Sequence, residues 1–287
     1  MPDAAMERLV TTGERLSAIS VRAFTNPHTR FAFPDAAPRD RLAMPAELLT
    51  LGDADGLDDE QRWRLALLEA VQFFSLNIAG ERELMQGLAA RLYTGPLAAT
   101  SEYLQHFLAE ENAHTVVFAA FCRRYGGKIY PSREVRLPRA FLPGEEEFLF
   151  FAKVLLFEEI ANWWNQRIAA DDTVWSLARE INEYHALDEA RHIAFGRQAV
   201  EALWEIHAPG WPEEARVRIG QYLVDYCEKT RRSYVNPSVW RDLGPRFAAG
   251  DLLARRDALL RSPARRAIDA EAAARGLEFL RSCGIAS

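Results

Sequence analysis

From about residue 60 to residue 207 the chain is dominated by apolar positions that recur every three or four residues, the spacing of one face of an α-helix. The first such stretch runs from about Glu60 to Tyr93, with Val71, Phe74, Ile78, Met85, Leu88 and Leu92 in one seam and Glu81 the single charge within it. The tetrapeptide Thr94-Gly95-Pro96-Leu97 stops it. A second helix is predicted from about Ser101 to Tyr125, closing at Gly126-Gly127. A third runs from about Glu145 to Ala170, opened by Glu145, Glu146 and Glu147 where a helix N-terminus favours negative charge, and a fourth from about Val174 to His207, before Pro209-Gly210. Residues 128–146 hold three prolines and no sustained period, so they read as a connection. Upstream, Pro27, Pro34, Pro38 and Pro45 punctuate residues 1–58; downstream, two or three further helices are expected in 212–283, separated by Pro237, Pro245 and Pro263. No strand alternation or hairpin signal of useful length occurs. The expectation is one all-α domain, with a four-helix centre at about 60–207 and the N-terminal segment 1–58 and C-terminal helices 212–283 packed on it.

Composition narrows the class. The chain has 287 residues, 49% hydrophobic and 26% charged, enough to bury a large core. Net charge is −6 and no block of Lys and Arg stands without acids beside it, which argues against a nucleic-acid or anionic-membrane partner. The first residues lack a basic-then-apolar leader pattern and no apolar run reaches the length of a membrane span, so a cytoplasmic protein is expected. Cys122, Cys227 and Cys283 are odd in number and far apart, so neither a disulfide framework nor a paired-cysteine zinc site is indicated.

Against that background one stretch stands out, residues 185–196, HALDEARHIAFG, which spends two of six histidines and two acids within an apolar segment. At about 100° per residue, His185, Glu189 and His192 fall in a wedge of roughly 60°, flanked by Asp188 and Arg191. On the second helix Glu111 and His114 share a face with Tyr103, Leu104, Phe107 and Phe118. On the third, Glu158 continues the row Phe151, Val154, Leu155 and is followed there by Ala161 and Asn162. Each of four helices therefore delivers acid to an apolar interior. Buried carboxylates without basic partners protonate or unfold the site unless a cation neutralises them. One Glu from each of two helices and a Glu-x-x-His from each of the other two is the arrangement that holds two metal ions in a ferritin-like bundle. Glu81 precedes Glu111 by 30 residues and Glu158 precedes Glu189 by 31, as in two hairpins built to one plan. Glu110 and Asp188, each just before a ligand Glu, sit where they could orient a histidine across the bundle. Two positions stay open: Glu83 competes with Glu81, although it lies off the seam, and Glu159 competes with Glu158 because the third helix is apolar nearly all round. The aromatics Phe73, Phe74, Phe118, Phe157, Trp163, Trp164 and Phe195 read mostly as core, with some walling the cavity that the metals face.

The set Glu81, Glu111-x-x-His114, Glu158 and His185-x-x-x-Glu189-x-x-His192 resembles the p-aminobenzoate N-oxygenase family of non-haem di-iron enzymes over about residues 65–200. The third histidine separates that family from the commoner ferritin-like proteins, and the interval of 31 residues before the last ligand Glu favours Glu158. The resemblance implies seven metal ligands, Glu81, Glu111, His114, Glu158, His185, Glu189 and His192, with Glu110, Asp188 and Arg191 supporting them. No further catalytic side chain is implied. It also implies two iron ions, O2 as co-substrate, and oxidation of an amine nitrogen to hydroxylamine or onward to nitroso, oxime or nitro in a biosynthetic pathway. The partners it implies are a small-molecule amine and an electron donor such as a reductase or ferredoxin, and it leaves a homodimer open. The rival readings are a C–H hydroxylase or oxidative cleavage enzyme and a ferroxidase, all on the same bundle. No Arg or Lys can be assigned to a substrate pocket from the sequence.

Overall fold

The computed structural model describes residues 2–131 and 140–286. Part of the connection expected at 128–146 therefore lies outside the described residues. Helix α1 spans Pro2–Ala23, ahead of the first of the upstream prolines, and the following segment is irregular apart from short 3-10 turns. Four long helices follow: α2 (Asp59–Ala89), α3 (Ser101–Phe121), α4 (Glu145–Ala170) and α5 (Ser176–His207). The start of α2 is set by Asp58, whose side chain accepts from the Gln61 backbone N–H while the Gln61 side chain answers on the Asp58 N–H. Its regular turns end at Ala89, four residues before the predicted end at Tyr93, which takes a positive φ of 56° and has its N–H held by Ser101 Oγ at 2.7 Å. Helix α3 runs on through one π turn, Cys122–Gly126. Val174 lies before α5, in an isolated bridge with Leu42.

The two or three helices expected at 212–283 are four: α6 (Glu213–Ser233), α7 (Pro237–Leu243), α8 (Leu252–Arg261) and α9 (Pro263–Ser282). Pro237 and Pro263 begin helices, each at the first helical position behind a capping Asn236 or Ser262. There the missing N–H costs nothing and the fixed φ already suits the helix.

Helix α2 packs on α3 and α4 on α5, and the two pairs face one another as an all-α, ferritin-like four-helix bundle; α1 lies over α3 and α5, and α9 over α4. The apolar core is in two parts. One holds Leu65–Phe74 of α2, Val117–Phe121 of α3, Ile160–Ile168 of α4 and Leu177–Tyr184 of α5. The other holds Leu84 and Leu88, Tyr103–Phe107, Phe148–Leu156 and Phe195–Leu203 of the same helices. Followed in chain order, α2 and α5 run from the first part to the second, and α3 and α4 run back. The connection between α3 and α4 therefore returns along the length of the bundle. Between the two apolar parts lies a layer of acids and imidazoles. Among the described residues, no helix is long and apolar enough to cross a membrane.

Candidate metal centre

The polar layer takes one turn or so from each central helix. Glu81, Glu111, His114, Glu158, His185, Glu189 and His192 are each at most 1% exposed, and the structure brings all seven together. Three overlapping groups have ligand atoms within 4.8 Å of one another: Glu81, His114 and His185; Glu111, His114 and Glu189; Glu158, His185 and Glu189. His192 faces the same carboxylates, its Nδ1 2.8 Å from Glu111 and 3.5 Å from Glu189. Of the competing acids, Glu83 is half-buried and lines an outer cleft with Lys153 and Phe157. Glu159 is buried but turned away to Arg197, whose Nε donates to it at 2.9 Å.

Each imidazole has one nitrogen toward the carboxylates and the other held from outside. His114 Nε2 meets Asp188 Oδ2 at 3.0 Å, and His192 Nε2 meets Glu110 Oε2 at 2.8 Å, each reaching across the bundle to the opposite helix. Arg191 ties the two acids together, its Nη2 donating to Glu110 at 2.6 Å and to Asp188 at 2.5 Å while Nε donates to Ser20 of α1 at 3.1 Å. One guanidinium thereby offsets much of the charge of two buried carboxylates. The third holder is one that the sequence does not single out. The Asn165 amide lies 2.7 Å from His185 Nδ1. The amide nitrogen Nδ2 is the atom that faces the ring; turned over about its Cγ, the same amide would present Oδ1, which has no partner as placed, to an Nδ1–H and leave the Nε2 lone pair facing the cluster. The available signal was position: Asn165 lies seven residues, two turns, after Glu158 on α4.

The electrostatics of the layer call for positive charge. Burial and the nearby Glu111 push the Glu81 carboxyl well above its ordinary range, and burial with Glu189 does the same to Glu158. Against the pull of burial, hydrogen bonds to Asp188 and Glu111 raise His114, and Glu111, Glu189 and Glu110 raise His192. Burial lowers His185. Protons are thus drawn to the site in place of cations. Both oxygens of Glu81 and of Glu189, one each of Glu111 and Glu158, His185 Nε2 and His192 Nδ1 are buried without a hydrogen-bond partner. Even the closest approach, His185 Nε2 to Glu189 at 2.7 Å, is not aligned as a hydrogen bond. Orphaned acceptors converging on one small volume are costly unless a cation satisfies them. Four carboxylates also match in charge two divalent ions, and mixed carboxylate and imidazole donors suit iron. The residues present fit a di-iron centre.

Among curated proteins none matches the chain. The model of the family described as p-aminobenzoate N-oxygenase AurF matches residues 8–284, which extends the resemblance from the central bundle to nearly the whole sequence. With a bundle of this form, a metal-ready acid and imidazole layer, and a family match from α1 to α9, the chain belongs to the p-aminobenzoate N-oxygenase family of non-haem di-iron oxidoreductases.

Proposed function

We propose that Glu81, Glu111, His114, Glu158, His185, Glu189 and His192 hold two iron ions and that the enzyme oxidises the amine nitrogen of an aromatic amine bearing a carboxylate. When bound, the irons supply reduction of O2 and transfer of an oxygen atom to nitrogen. Oxidation of an amine to its hydroxylamine consumes O2, two electrons and two protons and releases water, so an electron donor such as a reductase or ferredoxin is required at each turnover. Further rounds would lead to nitroso, oxime or nitro products, within a biosynthetic pathway.

The observation that carries the substrate reading is a cleft beside the cluster. Phe73 and Leu76 of α2, Trp164 of α4 and Tyr234 at the end of α6 wall it, and Arg265 of α9 lines it with Glu69. Tyr234 stacks on Trp164 with ring centres 5.0 Å apart, and the Arg265 guanidinium lies 5.2 Å from the Trp164 ring centre. Arg265 is 4% exposed and its Nη2 is buried without a partner, a costly state that an anionic ligand relieves. Trp164 is six residues, or about 9 Å, from Glu158 along α4. An aryl ring seated there would have its carboxylate on Arg265, with its amine end left for the side of the cleft nearer the metal ligands. In this conformation the cleft has about 10 Å³ free, room for roughly one water, so seating a ring requires lining side chains such as Met44, Leu48 or Leu76 to yield.

The test is loading and turnover. Protein given ferrous iron without oxygen should bind about two irons per chain, since seven ligands exceed what one ion uses. With p-aminobenzoate, a reductant and O2 it should yield the hydroxylamine by mass spectrometry. Glu111→Ala or Glu189→Ala should lose iron, and Glu83→Ala should not. One iron per chain, or a loss at Glu83, would overturn the ligand set. Oxidation of aniline but not of aminobenzoates would overturn the carboxylate reading.

A further inference from the structure

A second cavity, of about 420 Å³, lies outside the aryl cleft among α6, α8 and α9. Arg231, Arg232, Arg261 and Arg266 line it, in a chain whose net charge is −6. Arg231 is paired with Glu228, which also lines the cavity, and Arg232 with Asp257 at 2.8 Å. Arg261 and Arg266 are exposed and carry no ion pair among the described residues. The two cavities meet at one contact. Asp269 lines the outer one and accepts from Arg265 Nε at 3.0 Å, and Arg265 lines the inner one. Both partners are buried. A cationic outer chamber thus abuts a buried guanidinium with an unused donor.

We infer that the outer chamber is the entrance for an anionic aryl substrate, drawn in by Arg261 and Arg266 and handed past Asp269 to Arg265. This rests on the proposed seating of the carboxylate at Arg265. Clefts lined by one sign of charge raise the encounter rate of the opposite charge, and the effect fades with salt. Such a chamber acts on association and leaves dissociation, governed by Arg265, nearly unchanged. An uncharged ligand is indifferent to it.

The experiment follows ligand entry by stopped-flow tryptophan fluorescence, reported by Trp164, with p-aminobenzoate and with aniline as the uncharged probe. In Arg261→Glu/Arg266→Glu, association of p-aminobenzoate should slow by about fivefold to tenfold at low ionic strength and converge on the wild-type rate in high salt, with aniline unaffected. Both positions are exposed, so the melting temperature should hold. Separately, Arg265→Gln/Asp269→Asn, which avoids stranding the aspartate, should weaken p-aminobenzoate binding by about tenfold to a hundredfold. If that variant binds as tightly as wild type, or wild type binds no p-aminobenzoate, the seating fails and the route with it. If the seating holds and the charge reversal leaves the association rate unchanged, the route alone is overturned. The route is likewise overturned if the reversal slows only reduction by an acidic ferredoxin, which would make the patch a docking face for the electron donor.

Discussion

Glu69 shows how much a single buried carboxyl can carry. It lies in the aryl cleft, bonded to the Thr50 hydroxyl, which in turn accepts from Trp240 Nε1 at 2.8 Å. Burial pushes its pKa from an ordinary 4.5 to about 7, despite the Thr50 bond and the charge of Arg265. Between those two values the folded chain keeps a proton that the unfolded chain has released, so stability is fullest below 4.5, falls as pH rises through that window and levels off above about 7. The loss is on the order of 3 kcal/mol. Glu69→Gln keeps an acceptor for Thr50 and cannot ionise. Its melting temperature relative to wild type should therefore climb as pH is raised across the window, read by thermal unfolding at matched salt. Parallel pH curves for the two proteins would show that Glu69 ionises freely in the fold.

At the scale of elements, the geometry of the polar layer depends on how α2 meets α4. A methyl group at Gly80 would sit 2.3 Å from the Phe157 ring and one at Gly87 2.0 Å from the Phe150 ring. Two phenyl rings seven residues apart on α4 thus enter two glycine notches seven residues apart on α2, in antiparallel order. Gly80 adjoins Glu81 and Phe157 adjoins Glu158, so this fit sets the register that brings the two acids to one layer. Gly80→Ala would gain about 1 kcal/mol of helix propensity and should nonetheless destabilise the protein by about 1–3 kcal/mol through overpacking. Denaturant unfolding should show it, together with weaker iron retention, and Phe157→Leu in the same background should restore part of both. An alanine variant more stable than wild type would mean that the notch has slack and the register is set elsewhere.

For the whole molecule, the polar layer is a charge deficit inside a bundle whose apolar core it divides. Iron that binds this layer in the folded chain alone must stabilise the fold by mass action, and with metal at about 100–1000 times its dissociation constant the gain is about 3–4 kcal/mol. For a chain of this size the melting temperature should rise by about 5–8 °C on anaerobic ferrous loading and fall back with a chelator. Glu158→Ala should show a smaller rise. Equal melting temperatures with and without iron would indicate that the layer is satisfied by its own protons. The flanking segments matter at this scale too: Met44 and Leu48 close the aryl cleft from the N-terminal side, and Tyr234 and Arg265 complete it from the C-terminal side.

What the sequence determined by itself is what helical phase can carry. The period of three and four placed the central helices, and phase within them turned Glu81, Glu111, His114, His185, Glu189 and His192 to one interior, because the direction of a side chain on a helix follows from its number alone. Phase could not separate Glu158 from Glu159, since α4 is covered by α5 on one side and α9 on another and both acids are buried. Only the packing showed that Arg197 of α5 takes Glu159 and leaves Glu158 to the cluster. Asn165 and Arg265 were invisible for a related reason: a polar residue's role is set by which distant element comes to meet it. Arg265 is one of 35 basic residues with nothing local to mark it. It becomes the cation of an aromatic cleft because α9 lies across α4, and that contact between residues about a hundred positions apart is decided by the burial of whole faces, which no single stretch of sequence encodes.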